Sequence, residues 1–133
     1  MPQLVKGGKY VFGWTLLNEA RALRIPPEAW EEYGFTVGDT ALFTRGSRTS
    51  GGFAISYPAL LERAAAKSGL ALPVLGEGIF QPGGIVTVPD DISVQAGQKL
   101  LVVRGSGFAL GFLAQGPILA EALRHADVVT FTV

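Results

Sequence analysis

The chain carries one pattern twice. Arg45 to Pro58 reads RGSRTSGGFAISYP and Arg104 to Pro117 reads RGSGFALGFLAQGP; both fit RGS-x4-GF-x4-P without a gap, at an offset of 59 residues. The match runs on in both directions, with Gly38 on Gly97 and Glu62 on Glu121. Further upstream, RIPPE from Arg24 corresponds to TVPDD from Thr87, which puts Pro26 on Pro89 at an offset of 63. The first copy therefore holds four extra residues between that Pro and that Gly, in PPEAWEEYGFTVG against PDDISVQAG. An α-helix turns once in about 3.6 residues, so the insertion lengthens a short Pro-led helix while leaving its apolar face pointing nearly the same way. With 133 residues in all, the chain is confined to one ordinary domain or to two small, similar halves that share a core.

Each copy predicts the same succession of elements. A strand over 10–16, or over 78–81 in the second copy, leads through LNEA or PGG to a second strand over 21–25 or 85–88. That strand ends at a Pro, which lacks the ladder donor and pre-sets the first turn of a short helix. A turn at VGD or AGQ leads to TALFTR or KLLVVR, rich in residues that suit a pleated, half-buried surface. RGS makes a turn, GGFAIS or FALGFLA returns as a fourth strand, and PALLERAAAKSG or PILAEALRHA closes the copy as a Pro-initiated helix. The terminal run DVVTFTV reads as one more strand. The units divide as 9–68 and 76–133, joined by an apolar connector over 69–75 that packs the halves together rather than letting them swing. A four-stranded unit of about 50 residues has little core of its own. Two in one chain supply both halves of a closed barrel and remove exposed edges.

This order of elements, carried by Ile25-Pro26-x-Glu28 with Gly34 and Gly38-Asp39, and by Val88-Pro89-x-x-Ile92 with Gly97, resembles the AbrB/MazE/SpoVT family of swapped-hairpin β-barrels. Two units in tandem look like the arrangement in MraZ-type proteins. The likeness covers most of residues 10–114. It implies a mainly β fold with short helices: two tandem AbrB-like ββαββ units forming a pseudo-twofold swapped-hairpin β-barrel, each followed by a Pro-initiated helix. It also implies a DNA-binding transcription regulator with double-stranded DNA as partner.

In that family a Gly-Arg pair before the Pro strand and basic residues on the short helix face the duplex. Here Arg21 stands five residues before Pro26, whereas the family's Arg stands four before, at Ala22; the corresponding second-half position is Ile85. The short helices bring Glu28, Glu31 and Glu32, or Asp90 and Asp91, where carboxylates repel phosphate. Basic residues concentrate in the first half, and Arg21, Arg24, Arg45 and Arg48 are the candidate DNA-binding residues, provided they share a face. The alternative is a non-catalytic oligomeric interaction protein, antitoxin-like or a scaffold, that kept the barrel and lost the DNA face.

Eleven Lys and Arg balance eleven Asp and Glu, so no global field draws the chain to nucleic acid or membrane. A hydrophobic share of 48% leaves apolar surface for a homo-oligomer. The absence of Cys excludes disulfide and thiolate chemistry. Without an apolar leader-like run or about 18 continuous apolar residues, a cytoplasmic protein with no membrane partner is expected. LLVVRGSGFALGF resembles a strand followed by a dinucleotide-type G-x-G-x-x-x-G turn. The internal copy opposes that reading, because Arg48 stands where Gly107 does and Pro58 and Pro117 block a helix beginning at the glycines. His125 is the lone His, Ser47 and Ser106 are turn residues, and Asp90 and Asp91 sit as first-turn helix carboxylates. No enzyme activity, cofactor or metal is expected. Among the aromatics, Trp30 on the acidic helix is the best anchor for a protein partner.

Overall fold

Described over residues 8–46, 51–69 and 72–133 in a computed structural model, the chain is mainly β with three short helices. The elements in chain order are β1 (Val11–Leu16), β2 (Ala22–Arg24), α1 (Pro27–Tyr33), β3 (Thr40–Arg45), β4 (Phe53–Ser56) and α2 (Pro58–Ser68). The second half supplies β5 (Val74–Ile79), β6 (Ile85–Thr87), β7 (Lys99–Ser106), β8 (Ala109–Leu113), α3 (Pro117–Ala122) and β9 (Thr130–Phe131). Seven strands form one sheet in the order β5-β3-β4-β8-β7-β1-β9, while β2 and β6 pair separately. Neither sheet closes on itself.

The pairing crosses between the copies. β1 runs antiparallel to β7 rather than to β3, and β5 runs antiparallel to β3 rather than to β7. Thr15 faces Leu100, and Gly78 faces Ala41; the sequence offsets make these two pairs equivalent. The same exchange is seen in the backbone bonds that follow each first strand. Leu17 N donates to Gln98 O at 3.0 Å and Gly97 N to Leu17 O at 2.7 Å; Phe80 N donates to Asp39 O at 3.0 Å and Gly38 N to Phe80 O at 2.8 Å. Where the copies meet directly, equivalent residues pair with each other: Leu23 with Val86 in β2·β6, and Phe53 with Phe112 in β4·β8. Their phenyl rings stack with centroids 4.8 Å apart.

One large core lies between the sheets and α1. It contains Phe43, Phe53 and Phe112 from the large sheet, Leu23 and Val86 from the small one, and Ala29 and Tyr33 from α1. A second cluster, with Val11, Trp14, Leu101 and Val103, is covered by Ala122, Ile118 and Leu119 of α3. Each helix begins with Pro in its first turn, where the missing N–H has no intrahelical partner to lose.

Four local expectations differ from the structure. In the second copy, Arg104, Gly105 and Ser106 belong to β7 rather than to a turn. The first strand of the second copy is β5 at Val74–Ile79, so it begins inside the segment read as a connector. VLGEGI contains two glycines and is a poor strand by local propensity. Its backbone is fixed by β3, and a Cβ at Gly76 would lie 2.8 Å from Pro89 Cγ. No second short helix forms at 90–92, where the chain makes a turn closed by Ile92 N donating to Pro89 O at 3.1 Å; the carbonyls of Pro89, Ile92 and Val94 accept from Arg21 instead. The final run contributes only β9, parallel to β1.

The stacked pair gives a direct stability test. Phe112 is fully buried, and Phe112→Ala is expected to cost about 3–5 kcal/mol through lost transfer energy plus a cavity. Urea unfolding measures it; a loss below about 1 kcal/mol, the size expected when a site collapses or was never packed, would show that the rings do not hold the halves together.

Candidate functional site

The turn between β1 and β2 is built by Asn18, whose Oδ1 accepts from the amides of Ala20 and Ala22, each at 2.9 Å. This geometry places Arg21 at φ 61, the sole non-glycine with positive φ among the described residues. Such a conformation costs on the order of 1 kcal/mol or more, and the side chain offsets it. Arg21 donates from Nε to Val88 O at 3.2 Å, from Nη1 to Val94 O at 2.6 Å, and from Nη2 to Pro89 O at 2.7 Å and Ile92 O at 2.8 Å. Asp90 Oδ1 lies 3.4 Å away, but that carboxylate is 97% exposed and adds little in water. The guanidinium of Arg21 is therefore a clamp on the turn over 88–94.

The other candidate DNA-binding residues lie elsewhere. Arg24 donates from Nε to Thr132 O at 2.7 Å and from Nη1 to Gly83 O at 3.0 Å, tying the C-terminal tail to the β5–β6 turn. Arg45 is exposed at the end of β3, where it lines a separate hollow of about 290 Å³ together with Lys9. Arg48 lies outside the described residues. Arg21 lines neither the hollow that Arg24 borders nor the one that Arg45 borders.

The acidic face of α1 is differentiated in the same way. Arg104 grips Glu32 with two bonds of 2.6 Å, and its guanidinium lies 4.6 Å from the Tyr10 ring centre. The hydrogen bond from Arg104 holds the Glu32 carboxyl below its ordinary range. Tyr10 donates to Glu28 Oε2 at 2.6 Å, and this bond raises the pKa of the phenol. Tyr33 donates to Ser106 O at 2.8 Å, and burial pushes its phenol up to about 12. Glu31 forms no ion pair among the described residues.

Glu31 instead borders a hollow of about 780 Å³ between α1, the end of β2 and the turn at Gly83 and Gly84. Trp30 lines it, half-buried, with its ring edge-on to Phe35 at 5.7 Å and to Phe80 at 5.4 Å. Ile25, Phe35 and Val37 add further apolar wall, and Val37 is 50% exposed. Sequence reasoning singled out Trp30 but missed the cavity beside it. The available signal was the 63-residue offset, which sets Gly84 against Arg21.

His125 lies just beyond α3, with Nε2 2.9 Å from Glu121 Oε2. Among the described residues, no three or more His, Cys, Asp or Glu side chains gather as metal ligands, and no helix is long and apolar enough to cross a membrane. No protein-family model matches the chain, and no curated protein matches it.

The clamp predicts its own deletion. Arg21→Gly relieves the backbone strain but removes four hydrogen bonds from a charged donor, so a net loss of about 1–3 kcal/mol is expected. Chemical denaturation measures it, and an equal or higher stability would show that the guanidinium does not clamp the turn.

Proposed function

We propose that the chain is a tandem AbrB-like swapped-hairpin β-barrel with an internal pseudo-twofold, and that it works as a non-catalytic interaction protein. The crossed pairing of β1 with β7 and of β5 with β3 supports the fold, as does the pairing of equivalent residues in β2·β6 and β4·β8. One observation carries the function: Arg21, the arginine nearest the family's duplex-facing position, directs its guanidinium at four backbone carbonyls. A cation so engaged is poorly placed to release counterions from phosphate. On α1, Glu32 is paired by Arg104 and Glu28 accepts from Tyr10, which leaves Glu31 with no ion pair among the described residues. Exposed Val74, Leu75 and Ile79 on β5, at one end of the large sheet, support a homo-oligomer.

The DNA-binding transcription regulator is the second reading. It is favoured by Arg45, exposed at the end of β3 with Lys9 nearby.

Mobility of a random-sequence duplex at low and moderate salt separates the two. The interaction protein is expected to retain no duplex with affinity better than about 10⁻⁴ M, the weak end of ordinary non-specific binding. Salt-sensitive retention that Arg24→Ala and Arg45→Ala both weaken would establish the regulator instead.

A further inference from the structure

Arg21 and Gly84 are equivalent positions that differ in their side chains. They are 63 residues apart, and each precedes its short strand directly. Both have positive φ, 61 at Arg21 and 77 at Gly84. Their carbonyls accept matching bonds, Arg21 O from Val88 N at 2.8 Å and Gly84 O from Ile25 N at 2.7 Å. At Arg21 the side chain fills the space beside the following turn with a guanidinium. Gly84 carries no side chain: a Cβ there would approach Ile25 O tightly, at 3.1 Å, and Trp30 Cε3 at 3.7 Å, at the wall of the 780 Å³ hollow.

We propose that this hollow is a seat for an arginine side chain presented by a polypeptide partner, occupying in trans the place that Arg21 occupies in cis. This deepens the interaction-protein reading and rests on it. Two of the four acceptor positions recur, since Ile25 is the equivalent of Val88 and Phe35 the equivalent of Val94; the other two fall where the first copy carries α1, and Pro26 O, the equivalent of Pro89 O, accepts from Trp30 N at 3.0 Å. The seat also offers Trp30 as an aromatic wall to a cation. At its rim stands Glu31, a carboxylate with no ion pair among the described residues, as Asp90 stands beside Arg21. A planar guanidinium on an aliphatic stem suits this combination of carbonyls, ring and carboxylate better than a compact ammonium does.

The cavity falls within the roughly 300–1,000 Å³ typical of ligand sites, so residues flanking the arginine have room. That space, and the fact that the internal occupant is itself part of a polypeptide turn, favour a peptide source over a free guanidinium compound. Arg24 also lines the rim, but its Nε and Nη1 are turned to Thr132 O and Gly83 O. Its like charge opposes the incoming cation and sets a limit on affinity.

The Trp30 indole N–H resonance of the ¹⁵N-labelled chain reports occupancy. N-acetyl-Ala-Arg-Ala amide is expected to shift it saturably, and the citrulline counterpart, neutral but nearly isosteric, to bind about tenfold more weakly because the charge-assisted contacts are lost. Glu31→Gln is expected to weaken the arginine peptide severalfold, and Arg24→Gln to tighten it. Gly84→Arg is expected to abolish the response by filling the seat from within. Because a side chain at φ 77 strains that turn, Glu31→Gln, on the exposed face of α1, provides the test that leaves the backbone alone. Absence of a saturable shift, equal affinity for the citrulline peptide, or tighter binding of free arginine than of the peptide would each overturn the proposal. A null titration without duplex retention removes the seat and leaves the interaction reading standing, whereas duplex retention removes that reading itself.

Discussion

Phe53 and Phe112 stack at 4.8 Å where β4 meets β8, and this contact joins two copies of one sequence pattern into a single sheet. Around it, each copy hands its first strand to the other. β1 completes the ladder of β7, and β5 completes that of β3. Because the strands are exchanged, neither copy can bury its apolar residues alone. Phe43 from the first half and Val102 from the second belong to the same cluster. The result is a large shared core in a chain whose separate halves would be marginal.

Against this repeated frame, the departures from symmetry become informative. The four-residue insertion turns what is a simple turn at 90–92 into α1, with Glu28, Glu31, Glu32 and Trp30 on it. The exchange of Arg for Gly between positions 21 and 84 puts a guanidinium clamp at one end of the β2·β6 pair and leaves Gly84 at the wall of the hollow at the other. Both changes fall beside the same cavity, although they lie in different halves of the sequence. That convergence is a consequence of strand exchange, which brings the turn of one copy against the helix of the other.

Much of this frame is legible in the residues. The offsets of 59 and 63 fix which strands are equivalent, and β1 and β5, like β2 and β6, begin and end at positions 63 apart. The Pro-led helices at Pro27, Pro58 and Pro117 form where Pro predicts them. By contrast, local pattern places the first strand of the second copy at 78–81 rather than at Val74–Ile79, because VLGEGI is a strand through partners rather than through propensity. The short helix expected in PDDISVQAG does not form; that segment, four residues shorter than its counterpart, makes a turn whose carbonyls accept from Arg21, remote in sequence. The basic residues were legible as a composition but not as a site. Which of them clamps a turn, which ties down the tail and which meets solvent depends on side-chain directions that periodicity does not encode.

Strand exchange is the premise on which the core, the clamp and the hollow all depend, and interstrand nuclear Overhauser contacts test it most directly. Backbone contacts of Thr15 with Leu100 and of Gly78 with Ala41 are expected. Contacts of Thr15 with Ala41 and of Gly78 with Leu100, the pairings each copy would make by itself, would contradict it.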